Sequence, residues 1–171
     1  MKTTFISFIS FISFISFMFI FLISIENAFC WQCRVKDILD GDTITIYPEF
    51  AKETLLKIRL YGIDAPEIEQ EFGIESSACL KKLINDEALN IETYGFDKYN
   101  RILGIIYSPS GEDINRNMIK NGCAWVYTQY CKQPRCKEWM KDEKGAVKNK
   151  IGLWNGSDVI APWKWRRQFK Q

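Results

Sequence analysis

The chain has 171 residues, enough for one domain with a sizeable core and short for two. It carries 23 Lys and Arg against 21 Asp and Glu, and a net charge of +2 is too mild to identify a polyanion partner by itself. Histidine is absent, which excludes Ser-His-Asp hydrolysis, histidine-ligated zinc and any nuclease chemistry with a histidine base; acid–base work must fall to Asp, Glu, Lys, Tyr or arginine-assisted water.

Residues 1–30 read as a leader. Lys2 gives a positive start, the stretch from Phe5 to Ile25 is apolar with a recurring Phe-Ile-Ser, and Ala28 and Cys30 supply small residues for cleavage. That order describes a secretory signal peptide. The apolar stretch exceeds the usual ~7–15 residues of such a region, so a retained membrane anchor is the alternative. The expected location is secreted or periplasmic, with membrane anchoring if the leader is uncleaved, and the domain proper occupies residues 31–171. Loss of Lys2 and Glu26 with the leader leaves the net charge unchanged.

Six cysteines follow the same logic: Cys30, Cys33, Cys79, Cys123, Cys131 and Cys136. In an exported chain they are expected to form disulfides, with Cys131 and Cys136, enclosing Pro134, the best candidate pair. The rival reading joins Cys30 and Cys33 with Cys131 and Cys136 as a zinc site.

From Val35 to Ile46 two short strands flank an Asp40-Gly41-Asp42 turn. Residues 48–52 make a loop and 55–63 a third strand, whose exit, Asp64-Ala65-Pro66-Glu67, is a turn because the residue before proline avoids helical geometry. A helix is expected over 72–83, with Ile74, Ala78, Leu80, Leu83 and Ile84 facing inward and Ser76, Lys81 and Lys82 facing water. Strands at 89–93 and 101–107 bracket a turn at 97–100. A short helix over 114–121 closes at Gly122, and a charged helix runs from Pro134 to about Lys150 with Gly152 past its end. Trp154, Trp163 and Trp165 are expected in an irregular, basic tail whose surface is solvated and aids polyanion binding. Five strands with a helix between the third and fourth is the element order of an OB barrel, an α+β (mainly β) fold.

The chemistry gathers between Asp40 and Glu67. Carboxylates Asp42, Asp64 and Glu67 come from two strand ends beside Arg59, a pattern suited to a hard cation next to an anionic substrate. Each residue taken singly has a plainer role: a turn former for Asp42, a loop or helix-start anion for Asp64 and Glu67, a structural ion pair for Arg59.

Four segments together resemble the staphylococcal nuclease (thermonuclease) family: VKDILDGDT at 35–43, IRLYGIDAPE at 58–67, DKYNR at 97–101, and the end NGCAWVY…GLW…PWKWRR. The resemblance implies a five-stranded OB barrel with three helices and a calcium-dependent endonuclease acting on DNA and RNA and leaving 3′-phosphate ends. It implies calcium held by Asp42, Asp64 and the backbone carbonyl of Ala65. Arg59 and Arg101 match the family's phosphate-binding arginines, Glu67 its general base and Tyr99 a substrate-contacting tyrosine. Asn100 stands where a glycine is usual, and asparagine tolerates left-handed geometry. The segment after Glu67 is short and acidic (Glu69, Glu71, Glu75) where the staphylococcal enzyme has a longer lysine-rich loop, so no nucleotide contacts carry over from that loop. A monomer is the family default. The rival functions are an OB-fold nucleic-acid-binding module without catalysis and an exported interaction protein that binds calcium only for stability.

Overall fold

A computed structural model describes residues 30–85 and 88–169. The leader expected over the first 30 residues lies, except for Cys30, outside the described residues. The hairpin forms as expected: β1 (Cys30–Ile38) pairs antiparallel with β2 (Thr43–Pro48) around the Asp-Gly-Asp turn. β2 continues antiparallel to β3 (Leu56–Leu60), with Thr43 opposite Arg59 and Ile44 opposite Ile58. Alternation then sorts the side chains: Ile44, Ile46, Ile58 and Leu60 fill the barrel interior, and Arg59 points the other way.

A two-residue strand, β4 (Ile63–Asp64), leaves this sheet, and α1 (Gly73–Ile84) follows. Next come β5 (Ala88–Phe96) and β6 (Ile102–Tyr107), which pair antiparallel. β6 also runs parallel to β3, and β5 pairs back with β1, so the order β1-β2-β3-β6-β5 closes on itself. This is the OB barrel expected from the sequence. Burial of Ile91, Ile105, Ile106 and Leu89 completes its core.

The remaining elements brace one end. α2 (Ile114–Lys120) starts at Asp113, whose side chain accepts the Arg116 amide N–H, an N-cap of the usual type. Buried Asn115 pins α2 to the barrel: its amide donates to the Tyr61 and Gly104 carbonyls and accepts the Ile106 N–H. The strand β7 (Trp125–Val126) pairs antiparallel with β4, placing Asp64 opposite Trp125. α3 (Cys136–Lys148), a 3-10 turn over Gly152–Asn155 and α4 (Pro162–Phe169) end the described chain.

Two disulfides are formed. Cys131–Cys136 is the expected pair, and its formation removes two of the four thiols that the zinc reading required. Cys79–Cys123 joins α1 to the segment leading into β7. Cys30 and Cys33 are free, the first exposed and the second buried, and burial pushes the Cys33 thiol up to about 12.

Three expectations are corrected. Among the described residues there are four α-helices, not three, because the tail from Pro162 is helical. The inward face of α1 is Gly73, Ser76, Leu80 and Ile84, whereas Ile74 is 70% exposed. Ser76 is buried because its hydroxyl donates to the Cys123 carbonyl at 2.7 Å, a partner that a helical apolar pattern does not reveal. Third, Arg166 in the basic tail is turned into the protein.

Candidate active site

The Asp40–Asp42 turn is built from within and packed from outside. The Asp42 N–H donates to the Asp40 carboxylate at 2.9 Å, a local side-chain turn of the kind Asp favours. Gly41 is required by close approach: a Cβ there would lie 1.9 Å from the Ser76 hydroxyl oxygen and 2.7 Å from the Ala65 Cβ. The turn is thus seated between α1 and the 63–67 segment, and the Asp42 carboxylate is buried with it. Its Oδ1 accepts the Thr43 hydroxyl at 3.1 Å, and its Oδ2 accepts the Ala65 N–H at 2.7 Å.

Asp64 is delivered by β4, whose pairing with β7 buries its side chain completely. Arg59 stands between the two aspartates. One nitrogen, Nη2, lies 3.0 Å from Asp42 Oδ2 and 2.8 Å from Asp64 Oδ1. Nη1 donates to the Leu60 and Ile63 carbonyls, both at 2.9 Å, which fixes the plane of the guanidinium. Glu67, past Pro66, is held by its backbone N–H to the Gln70 side chain at 3.3 Å.

Arg101 enters from the β5–β6 turn. The parallel register Ile58 with Ile102 sets it beside β3. Asp97 orients it, accepting its backbone N–H at 2.9 Å and its Nε at 2.7 Å, while Nη1 reaches the Thr43 hydroxyl at 3.4 Å. Asn100 has φ 60°, the left-handed conformation expected of asparagine at that position. Tyr99 is 67% exposed, with the Arg101 guanidinium 5.5 Å from its ring centroid. The structure therefore gathers Asp42, Asp64, Ala65, Glu67 and Arg59 in one cluster, links Arg101 to it through Thr43, and sets Tyr99 on the rim.

The cluster also contains Arg166, a residue of the basic tail whose sequence alone suggests a solvated surface. Its Nη2 lies 2.8 Å from Asp64 Oδ2, and its Nη1 lies 2.8 Å from Glu67 Oε1 and 3.2 Å from Asp64 Oδ1. Two signals in the sequence point to the helix that carries it. Pro162 occupies the first helical position, where its fixed φ is favourable, and Trp165 meets Phe169 one turn on at 5.4 Å.

Three carboxylates thus face two guanidiniums in a mostly buried space. Burial pushes the Asp42 carboxyl up to about 8, with the Asp40 and Asp64 charges adding to the shift and Arg59 opposing it. Burial likewise raises Asp64, against the pull of Arg166 and Arg59. Such a site gains from further positive charge, and its donors are all oxygens, the preference of a hard divalent cation. Asp42 and Asp64 already share one cationic nitrogen, so two carboxylate oxygens are positioned to face a common positive centre. Among the described residues no group of three or more acidic or cysteine side chains converges as a ready cage. A cation here would complete its shell with backbone and water oxygens.

Residues 57–156 match the family model of staphylococcal nuclease homologues. An uncharacterized endonuclease of Escherichia coli is 37% identical over 135 residues, covering 79% of this chain and 84% of that protein. A similar protein of Haemophilus influenzae is 38% identical over 138 residues, covering 81% and 74%. The micrococcal nuclease of Shigella flexneri is 33% identical over 159 residues, covering 88% and 89%. With its barrel closed in the expected order and its likeness extending over most of its length, the chain belongs to the staphylococcal nuclease homologues and, with them, to the nucleases that hydrolyse phosphodiester bonds.

Proposed function

We propose that the chain is a calcium-dependent endonuclease acting on DNA and RNA and leaving 3′-phosphate ends. One observation carries the reading: buried Asp42 and Asp64 converge on a single nitrogen of Arg59, with Glu67 joined to the same cluster. Asp42 and Asp64 would hold the calcium, with the Ala65 carbonyl and water supplying further oxygens. When bound, the ion supplies Lewis-acid polarisation of the phosphate and a template for the attacking water.

The remaining work falls to the chain itself. Arg101 would present its guanidinium to the phosphate oxygens, and Arg59 would exchange a carboxylate contact for a phosphate oxygen; both stay charged throughout, so they would stabilise the charge that builds on five-coordinate phosphorus. Glu67 accepts the proton of the water whose oxygen bonds to phosphorus. The bond that breaks is P–O5′; the leaving oxygen takes a proton from solvent and the phosphate remains on the 3′ side. Tyr99, exposed beside Arg101, is placed to contact the substrate at the rim. An export leader, expected from the sequence over residues 1–30, would carry the chain out of the cytoplasm, where the two disulfides would persist, and the proposed acting form is a monomer.

The test is cleavage of denatured DNA and RNA with added calcium and with a chelator, beside Glu67→Gln. The expected result is calcium-dependent cleavage, 3′-phosphate ends, and a fall in turnover of about 100-fold or more in the variant. Retained DNA binding without cleavage by the folded protein would replace this reading with a catalytically silent OB-fold binding module.

A further inference from the structure

Arg166 lies beyond the 57–156 segment matched by the family model, and it reaches the site by a route that the structure builds with care. The start of α4 is anchored twice. Trp163 stacks on Tyr127 at 5.2 Å with an interplanar angle of 4°, beside buried Ala161 and Trp125. Buried Gln70 donates its Nε2 to the Ile160 carbonyl at 2.5 Å while its Oε1 accepts the Glu67 N–H at 3.3 Å. One side chain therefore holds the Glu67 backbone in register with the start of α4.

From that anchored helix Arg166 spans two carboxylates with one planar group. A guanidinium that bridges two acceptors fixes their relative position and orientation, which a single point charge does not do. Both ends of Glu67 are then held by the C-terminal segment: its backbone through Gln70, and its carboxylate through Arg166.

We propose that Arg166 is a positioning residue of this active site, holding the Glu67 carboxylate at a fixed place beside Asp64 so that it faces the attacking water. The inference rests on the reading of Glu67 as the base. A displaced base lowers turnover far more than substrate binding, because alignment matters at the transition state; a misplacement of about 1 Å costs on the order of 100-fold.

The experiment is a double-mutant cycle on the full chain with Arg166→Gln, Glu67→Gln and the double variant, plus Arg166→Lys. It measures kcat and KM for single-stranded DNA cleavage with calcium, and Kd for the same DNA in chelator by fluorescence anisotropy. In Arg166→Gln, kcat falls about 30- to 100-fold while KM and Kd stay within about twofold. In the Glu67→Gln background the same substitution costs less than about threefold, because the amide has no base function left to misplace. Arg166→Lys falls between Arg166→Gln and wild type, and it carries the test should Arg166→Gln lose the thermal unfolding transition of the wild type.

Equal losses in both backgrounds, a Kd weakened about tenfold, or wild-type kcat in either Arg166 variant would overturn the proposal. A wild-type kcat in Glu67→Gln would instead sink the assignment of the base, so the two failures are told apart.

Discussion

Replacing Arg59 by methionine tests the charge balance on which the site is built. The Arg59 side chain is 12% exposed and contacts Asp42, Asp64 and two backbone carbonyls. Methionine keeps much of the apolar stem and none of those four contacts. Removing one partner of a buried ion pair costs about 3–5 kcal/mol, because the remaining charge is left uncompensated. The two carbonyls add to this, while Arg166, still on Asp64, offsets part of it. We therefore expect a loss of about 4 kcal/mol, the middle of that range. In urea, with a slope of about 2 kcal/mol per molar, the unfolding midpoint moves down by about 2 M.

The loss is also pH-dependent, and its sign is fixed. Burial already raises the folded-state Asp42 carboxyl from 3.8 to about 8, so the folded protein takes up a proton there that the unfolded chain has lost. That uptake stabilises the fold fully below the unfolded value and is lost as pH rises through the folded one. A protonated Asp42 has no need of Arg59, so the deficit of Arg59→Met is largest at about pH 8.5 and shrinks toward about pH 5. Tryptophan fluorescence in urea, with chelator present and at both pH values, measures it. A midpoint shift below about 0.5 M at the higher pH, or one that grows on acidification, would refute the reasoning.

Two further predictions concern the frame around the site. Chain entropy weights the disulfides by loop length: Cys79–Cys123, separated by 44 residues, contributes about 4 kcal/mol, and Cys131–Cys136, separated by 5, about 2 kcal/mol. Calorimetry of paired Cys→Ala variants should show the larger Tm loss for the first pair, and equal losses would contradict that account. Gly41→Ala places a methyl where the Ser76 hydroxyl and the Ala65 Cβ already lie, so the turn must shift. A stability loss of about 1–3 kcal/mol is expected by urea unfolding, with weaker calcium binding by titration calorimetry because Asp42 moves with the turn. An unchanged calcium affinity would show that the packing of Gly41 does not position Asp42.

Most of the site could be read in the chain because its parts are neighbours in sequence or across one hairpin. The Asp-Gly-Asp turn, the alternation Ile44, Ile46, Ile58 and Leu60, and the exit through Pro66 are local features, and local sterics and solvation decide them. They fix that Asp42 sits in the turn just before β2 and that Arg59 faces away from the barrel core. The absence of histidine narrows the chemistry to carboxylates and arginines before any fold is considered.

What the tertiary structure decided depends on partners distant in the chain. α1 shows Ser76 inward and Ile74 outward because Gly41 and the Cys123 carbonyl meet that face, and neither contact leaves a period in the sequence. Asp64 becomes fully buried only when β4 finds β7. Arg166 sits in a run of Trp, Lys and Arg that looks the same for a solvated tail as for a docked helix. Stacking of Trp163 on Tyr127 and the Gln70 bond to Ile160 separate the two. Those contacts span long stretches of chain, so their free energy appears only once the barrel has closed and brought both ends together.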